Sequence, residues 1–370
     1  MITDFGEEFN MDAFILDNIN GLGKASIFNL IEEAGDEKAV FKLSDDRIKR
    51  VLGEKGYNSF KNRSKNFEED IERKLGVIKS KNIKFIPFTS ARYPEKLKNI
   101  PDPPYALYVR GELPDDSKPV VAIIGARQCS QYGREVARQM GEELGSKGVQ
   151  IVSGLAVGID SISQEACLNG GGRTYGVLGN GVDFCYPKEN VEIYDGMIKR
   201  GGVISEYNIG TPVNRILFPA RNRIISGLAD IVLVVEARRK SGTYITVSQA
   251  LEQGKEIFAV PGRITDELSV GCNSLISQGA GAAVDSNSII DALNSMGKPC
   301  GHVRNTKKAG EMDEEDELLR VLDITPTDIE VILLKMQPYG LKYEDIIMRL
   351  TMLELDGRAK KIGNSYIKVN

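Results

Sequence analysis

Along the chain the spacing of apolar positions changes twice before it fades. From about Asp12 to Leu75 apolar residues recur at helical intervals among many Lys and Glu with little β-branching, which predicts short helices. From Val120 to about Leu293, short Val- and Ile-rich runs alternate with amphipathic stretches. Val120–Ile124, Val149–Val152, Thr174–Leu178, Gly202–Ser205, Ile231–Val235, Ile257–Val260 and a short Ala282–Val284 read as strands. Helices are predicted at about Gln131–Ser146, Gly158–Leu168, Val191–Lys199, Thr246–Glu252, Asn273–Gln278 and Asn287–Leu293, with one more after an arginine-bearing loop, Pro219–Arg223. Strands this continuous in apolar residues are buried on both faces, and helices between them make crossovers. The pattern predicts an α/β fold with a Rossmann-like parallel sheet, whose ligands bind at the carboxyl ends of its strands.

After Gly297 the apolar period is lost. A basic block and then an acidic block, ending at Glu317, read as a solvated linker. Beyond it Glu317–Leu322, Asp328–Lys335 and Lys342–Leu355 are amphipathic, and Lys360–Val369 reads as a hairpin around Gly363-Asn364. Three helices and a hairpin predict a winged-helix domain. Its third helix carries Lys342 and Arg349 but also Glu344, Asp345, Glu354 and Asp356. Phosphates would be repelled there, which favours a protein contact, while Lys360-Lys361 keep duplex DNA open. At the other end, Ile19–Leu30 holds the Gly-x-Gly turn of a helix-hairpin-helix motif, suited either to a sugar-phosphate backbone or to packing. The expected domains are residues 1–75, 76–296 and 318–370, with the linker at 297–317.

Composition removes several classes. Five cysteines lie far apart with no C-x-x-C, and His302 is the single histidine. Metal sites and Ser-His-Asp or Cys-His catalysis are therefore not expected, and reduced thiols point to the cytoplasm. The N-terminus shows no basic and apolar leader, and no run is long enough to span a membrane. A net charge of −4 gives no bulk attraction to nucleic acid, so any such binding must come from local clustering.

The predicted strand-end loops supply that clustering. Gly125–Gly133, Ser153–Gly158, Gly176–Gly181, Pro219–Arg223 and Arg238–Thr243 are rich in glycine, which lets backbone N–H groups approach an anion. Neither the dinucleotide G-x-G-x-x-G nor a triphosphate-binding G-x-x-x-x-G-K-[ST] is present in register. Instead Arg127, Lys188, Arg215, Arg221, Arg223, Arg238, Arg239 and Lys240 punctuate these loops, with Tyr132, Tyr186 and Phe218 among them. A basic groove with aromatic faces suits single-stranded nucleic acid. A single small phosphorylated metabolite is the other ligand this chemistry leaves open.

The motifs Gly-Ala-Arg-x-x-Ser-x-Tyr-Gly (125–133), Ser-Gly-Leu-Ala-x-Gly-Ile-Asp (153–160) and Gly-Asn-Gly-Val-Asp-x-x-Tyr-Pro (179–187) follow in order. After them come Ile-Ser-Glu-Tyr (204–207), Phe-Pro-x-Arg-Asn-Arg-Ile-Ile-Ser-Gly-Leu (218–228), Val-Val-Glu-Ala (234–237), Ser-Gly-Thr (241–243) with Thr246, Phe-Ala-Val-Pro-Gly (258–262) and Gly-Cys-Asn-x-Leu-Ile (271–276). Together they resemble the DNA-processing protein A family, also called DprA or Smf. The resemblance implies a homodimeric, non-catalytic protein without cofactor. It would bind and protect single-stranded DNA in DNA uptake, natural transformation and recombination, and help load the RecA recombinase. It implies a sterile-alpha-motif-like helical domain at the N-terminus and a winged helix at the C-terminus. It places the single-strand site at Gly125, Arg127, Ser130, Ser153, Gly154, Phe218, Arg221, Asn222, Arg223, Ser241 and Gly242, with Arg215 and Lys255 near basic family positions. Arg127 matches an arginine that grips phosphate, and Arg221 and Arg223 match a basic pair behind Phe218. Two departures are Ala126 where the family usually has serine, and Gln164 where it has histidine.

An enzyme is the competing class. Lysine-decarboxylase-like nucleoside-monophosphate phosphoribohydrolases use a related sheet with a catalytic Glu in a Pro-Gly-Gly-x-Gly-Thr-x-x-Glu loop. The nearest stretch, Lys240–Thr246, ends in Thr246 and has no carboxylate for acid–base work. Asp160, Asp183, Glu206 and Glu236 remain as acids, the two glutamates being expected to pair with the pocket arginines.

Overall fold

A computed structural model describes residues 9–61, 63, 66–300, 318–319, 321–323, 325–337 and 343–369. His302, Lys342 and residues 301–317 of the expected linker lie outside the described residues. The chain divides into two compact units, Met1–Asn305 and Thr306–Asn370.

The first unit opens with helices α1 (Met11–Asp17), α2 (Lys24–Ala34), α3 (Glu37–Val40), α4 (Asp45–Lys61) and α5 (Phe67–Ser80). Asn10 caps α1 by accepting from the Ala13 N–H (2.9 Å), and Asp36 caps α3 through the Ala39 N–H (2.7 Å). Their buried face, including Phe14, Leu16, Ile27, Leu30 and Ile48, shares one core with Tyr108, Leu178 and Met197 of the sheet region. The boundary expected at residue 75 thus falls inside α5, and helices and sheet form one unit.

The sheet strands are β1 (Ile83–Pro87), β2 (Ala106–Gly111), β3 (Val120–Ile124), β4 (Gln150–Ser153), β5 (Thr174–Val177), β6 (Gly201–Ser205), β7 (Ile231–Val234), β8 (Glu256–Ala259) and β9 (Gly281–Ala282). Helices α6 (Glu95–Lys98), α7 (Gln131–Ser146), α8 (Ile159–Asn169), α9 (Val191–Arg200), α10 (Leu217–Leu228), α11 (Thr243–Glu252), α12 (Val270–Ser277) and α13 (Ser286–Ser295) connect or cover them. The order is β1-β2-β6-β5-β4-β3-β7-β8-β9, parallel from β6 to β9. At the β6 edge β2 and β1 continue it antiparallel, with Tyr108 opposite Ser205 and Phe85 opposite Tyr108. The sheet is therefore mostly parallel rather than wholly so, because β1 and β2 are joined without a full crossover.

Alternation along the central strands divides the core. Val121 and Ile123 face α7, α8 and α13, whereas Val120, Ala122 and Ile124 face α10, α11 and α12. The predicted strands and helices recur within a few residues, with one consequential exception. The arginine segment is not a loop: α10 begins at Leu217 and contains it.

The second unit has β10 (Thr327–Asp328), α14 (Ile329–Met336), α15 (Tyr343–Leu355) and the hairpin β11 (Ala359–Ile362) and β12 (Ser365–Lys368). β12 lies between β10 and β11, and Ile332, Met336, Ile346, Leu350 and Tyr366 form its core.

Where α1 meets β2, one hydroxyl faces two acceptors. The Tyr108 Oη lies 2.7 Å from the Asp17 carboxylate and 2.6 Å from Asn208 Oδ1. A single phenolic proton cannot serve both oxygens at once. Burial pushes the Asp17 carboxyl up to about 6, against the lowering effects of Tyr108 and Lys74. A folded-state value above the unfolded one means the fold favours the acid. Stability should therefore fall as pH rises from about 3.8 through about 6 and then level off. Asp17→Asn should gain on the parent by about 1–3 kcal/mol at pH 7.5, with the gain shrinking toward pH 4. Denaturant unfolding at both pH values checks this; a gain independent of pH would refute it.

Candidate functional site

The chain runs β3, β4, β5, β6 to one side and β7, β8, β9 to the other, so the order reverses between β3 and β7. Loops leaving these two strands diverge and open a crevice at their carboxyl ends. A cleft of about 840 Å³ occupies it, lined by Gly125–Arg127 beyond β3, Ser241–Thr243 beyond β7, and the first turns of α10. Tyr186, Arg215 and Phe218 form part of its wall, and Asp160 is the one acid among its lining residues.

Helix α10 decides what the arginines do. Pro219 sits in its first turn, where the N–H would have no intrahelical partner, so the proline does not break it. Residues two apart on a helix point to opposite sides. Arg221 turns inward and is 5% exposed. Its Nη1 donates to the Gly154 carbonyl (2.9 Å) and to that of Val177, tying together the ends of β4 and β5. Gly154 leaves room for this, since a Cβ there would lie 2.6 Å from the guanidinium. The Gly154 N–H donates in turn to Asp160 Oδ2 (3.1 Å). Burial lowers Arg221 to about 10, with nearby Asp160 opposing the shift and Arg127 adding to it. Asp160 is raised by burial, with Arg221 opposing. At neutral pH Arg221 is thus a cation set into the cleft floor, its Nε without a hydrogen-bond partner.

Arg223 leaves the cleft. Its two terminal nitrogens meet the two Glu206 oxygens at 2.6 and 2.5 Å, and its Nε donates to the Asp102 carbonyl (2.8 Å) and carboxylate (3.0 Å). Asp102 also pairs with Lys24 at the start of α2. The resemblance puts Arg221 and Arg223 in the single-strand site together, but in the structure Arg221 lies beneath the cleft and Arg223 is committed to carboxylates behind it.

The rim is open. Arg127 and Arg215 are exposed and form no ion pair among the described residues. The Arg127 guanidinium lies 5.8 Å from the Phe218 ring centre. Phe218 stacks on Tyr186, centroids 5.9 Å apart and planes 16° from parallel. The Ser241 Oγ accepts the Thr243 N–H (3.2 Å), and the Tyr244 and Ile245 N–H groups donate to the Ser241 and Gly242 carbonyls (both 3.1 Å), which fixes the entry to α11.

Of the expected residues, Gly125, Arg127, Arg215, Phe218, Arg221, Asn222, Ser241 and Gly242 line one cleft. Ser130, Ser153, Gly154, Arg223 and Lys255 do not. Ser130 caps α7 and is held by Glu236, its N–H at 2.9 Å. Glu236 thus holds a helix terminus instead of pairing with an arginine, while Glu206 does pair with one. The Ser153 Oγ donates to the Ile123 carbonyl (2.6 Å) inside the sheet. Lys255 precedes β8 at the opposite edge, bonded to the Gly227 carbonyl (3.1 Å), and burial and then Lys96 lower it to about 8. Asp102 heads a stretch, Asp102–Gly111, that extends the family resemblance, but nothing local in the sequence ties it to Arg223, nor Tyr186 to Phe218.

Arg223→Ala should cost about 3–5 kcal/mol by leaving Glu206, whose side chain is only 12% exposed, unpaired, whereas Arg127→Ala should stay within about 0.5 kcal/mol. Thermal and denaturant unfolding of both variants checks the contrast; an equally stable Arg223→Ala would refute the buried-pair assignment.

Fold and cleft define an α/β protein with an anion-receptive crevice at the switch point of a mostly parallel sheet. The family model for DNA recombination-mediator protein A matches residues 84–294, and the chain belongs to that family. It is 41% identical over 236 residues to DNA processing protein DprA of Bacillus subtilis, covering 64% of this chain and 80% of the relative. It is 34% identical over 322 residues to Protein Smf of Escherichia coli, covering 81% of each. The X-ray structure of DprA from Streptococcus pneumoniae superposes with a TM-score of 0.64 at 32% identity, over 76% of this chain and 98% of that one. DprA from Helicobacter pylori, described for its single-stranded DNA binding mode, superposes with a TM-score of 0.51 at 29% identity, over 58% and 97%.

Proposed function

We propose that the switch-point cleft binds single-stranded DNA. The observation that carries this reading is the pair of exposed, unpaired arginines, Arg127 and Arg215, in one cleft with the Tyr186–Phe218 stack over a buried Arg221. Guanidiniums without carboxylate partners meet phosphates, and an aromatic face meets an unpaired base. The single-strand binding described for the Helicobacter pylori relative supports the same ligand. Gly125, Asn222, Ser241 and Gly242 supply further polar and backbone contacts. In this reading the protein works in the cytoplasm as a homodimer through its sheet domain. It protects single strands during DNA uptake and recombination and helps load RecA. The N-terminal helices act as the sterile-alpha-motif-like module and the second unit as a winged helix that meets a protein partner. Among the described residues no helix is long and apolar enough to cross a membrane.

Single strands should bind far better than duplex of equal length, with log affinity falling by ~0.7 per phosphate neutralised as log salt rises. Arg127→Ala should flatten that slope, and Phe218→Ala should weaken binding by about 1–3 kcal/mol. Anisotropy titrations against salt check this; equal affinity for both DNA forms would overturn the reading.

The protein should show no turnover of nucleoside monophosphates. Thr246 is buried where the hydrolase carboxylate would stand, and Glu206 and Glu236 are committed to Arg223 and Ser130. Steady product release that is lost on Asp160→Asn would install the phosphoribohydrolase instead. Truncation near Gly310 should change single-strand affinity by less than about tenfold, ~1.4 kcal/mol, since every cleft residue lies in the first unit. Collapse of binding in a folded truncated protein would move the site to the second unit.

A further inference from the structure

The first unit contains a second cationic cleft, of about 480 Å³, that the switch-point site does not use. It lies at the turn between α1 and α2, lined by Ile19, Asn20, Lys55, Asn58, Ser59, Arg63 and Phe67. Gly21, at φ +84°, turns the chain tightly against α4, and a Cβ there would lie 2.7 Å from the Ser59 Oγ. Lys55, Asn58 and Ser59 sit at i, i+3 and i+4 on α4, so they share one face.

Arg63 is held in an unusual way. Its guanidinium carbon lies 5.4 Å from the Phe41 ring centre, 5.7 Å from Phe60 and 5.3 Å from Phe67. Aromatic faces strip water from the planes of a guanidinium and orient it, leaving its N–H edges to donate. Glu68 is the carboxylate whose charge Arg63 feels, yet neither Arg63 nor Lys55 forms an ion pair among the described residues. The lining contains no acid. Two cations, two amides and a hydroxyl with no carboxylate suit an anion that accepts hydrogen bonds.

The place of this cleft selects among anions. Just before the turn, the Asp17 carbonyl accepts from Asn208 Nδ2 (3.2 Å), three residues beyond the carboxyl end of β6. Just after it, Lys24 shares Asp102 with Arg223, which belongs to the helix that walls the switch-point cleft. The turn is thus docked on the same sheet edge as that cleft.

We propose that the cleft between the Gly21 turn and α4 binds a phosphodiester of a single strand whose neighbouring nucleotides occupy the switch-point cleft. The proposal rests on the single-strand reading of the latter. Lys55 and Arg63 supply the charge, and Asn20, Asn58 and Ser59 supply neutral donors.

The test is anisotropy titration of the full chain with single strands of about 6 and about 30 nucleotides, lengths within and well above the ~4–16 nucleotides of one single-strand site. Lys55→Gln/Arg63→Gln should weaken the long strand about five- to tenfold and lower its salt slope by ~0.7 or more, while leaving the short strand unchanged. Lys55→Gln alone, a surface change that spares the aromatic cage, should give a smaller loss in the same direction. Arg127→Ala should weaken both lengths. An unchanged long strand in the double variant, or equal losses at both lengths, overturns the proposal. A long-strand advantage abolished by low-millimolar inorganic phosphate, at constant ionic strength, also overturns it by making this a free-phosphate site. A short strand indifferent to Arg127→Ala instead sinks the switch-point reading, because the short strand reports on that cleft alone.

Discussion

Two arginines on one helix, facing opposite ways, set the frame for the whole first unit. Arg221 is a charge removed from water, and such a charge persists only where fixed dipoles and a counter-charge replace its hydration. The carbonyls of Gly154 and Val177 and the nearby Asp160 provide both. Those carbonyls end neighbouring strands, so stabilising the cation also fixes β4, β5 and α10 against one another. Arg223 does the same on the other side, joining α10 to Glu206 beyond β6 and to Asp102, which Lys24 also holds. The N-terminal helices are positioned, in part, by the back of the helix whose front walls the cleft.

A chain of net charge −4 attracts no polyanion from a distance, so the proposed binding would rest on the local arrangement. Elsewhere many basic residues are spent on carboxylates, as Lys96 on Asp230 and Arg138 on Glu135 and Glu142. Around the switch point the acids are withdrawn instead. Glu206 faces Arg223 behind the helix, Glu236 points at the N-terminus of α7, and Asp160 is buried. Arg127 and Arg215 are left exposed, with no carboxylate paired to them among the described residues.

Much of this was legible in the sequence, and the errors have physical causes. Continuous Val and Ile runs mark β3 and β7 because a strand covered on both faces tolerates little else. Lys84 and Arg110 interrupt the apolar runs of β1 and β2, and only the single-turn α6 lies between them, too short to signal a crossover. The arginine segment reads as a loop because it joins a strand to an apolar helical run, although a first-turn proline is compatible with helix. Once helical, Arg221 and Arg223 cannot share a face. Convergence on the cleft is legible for residues in the loops that follow β3 and β7, such as Gly125, Arg127 and Ser241. It was not visible for Lys255, which precedes its strand and so lies at the far edge.

Buried and exposed cations in this site do different physical work. Arg221 is immobilised before any ligand arrives, so its field acts on the cleft without a further entropic cost of ordering. It is also shielded from salt by the protein around it. Arg127 and Arg215 are exposed; if the cleft binds a single strand as proposed, the ligand would have to order them, and their contribution would be the release of counterions, which salt erodes. The stack of Phe218 on Tyr186, with Arg127 within cation–π distance of Phe218, narrows that ordering cost for one of them by restricting where its guanidinium rests. Affinity in such a cleft therefore divides into a part that persists at high salt and a part that does not, and the boundary between them is the solvent exposure of each arginine.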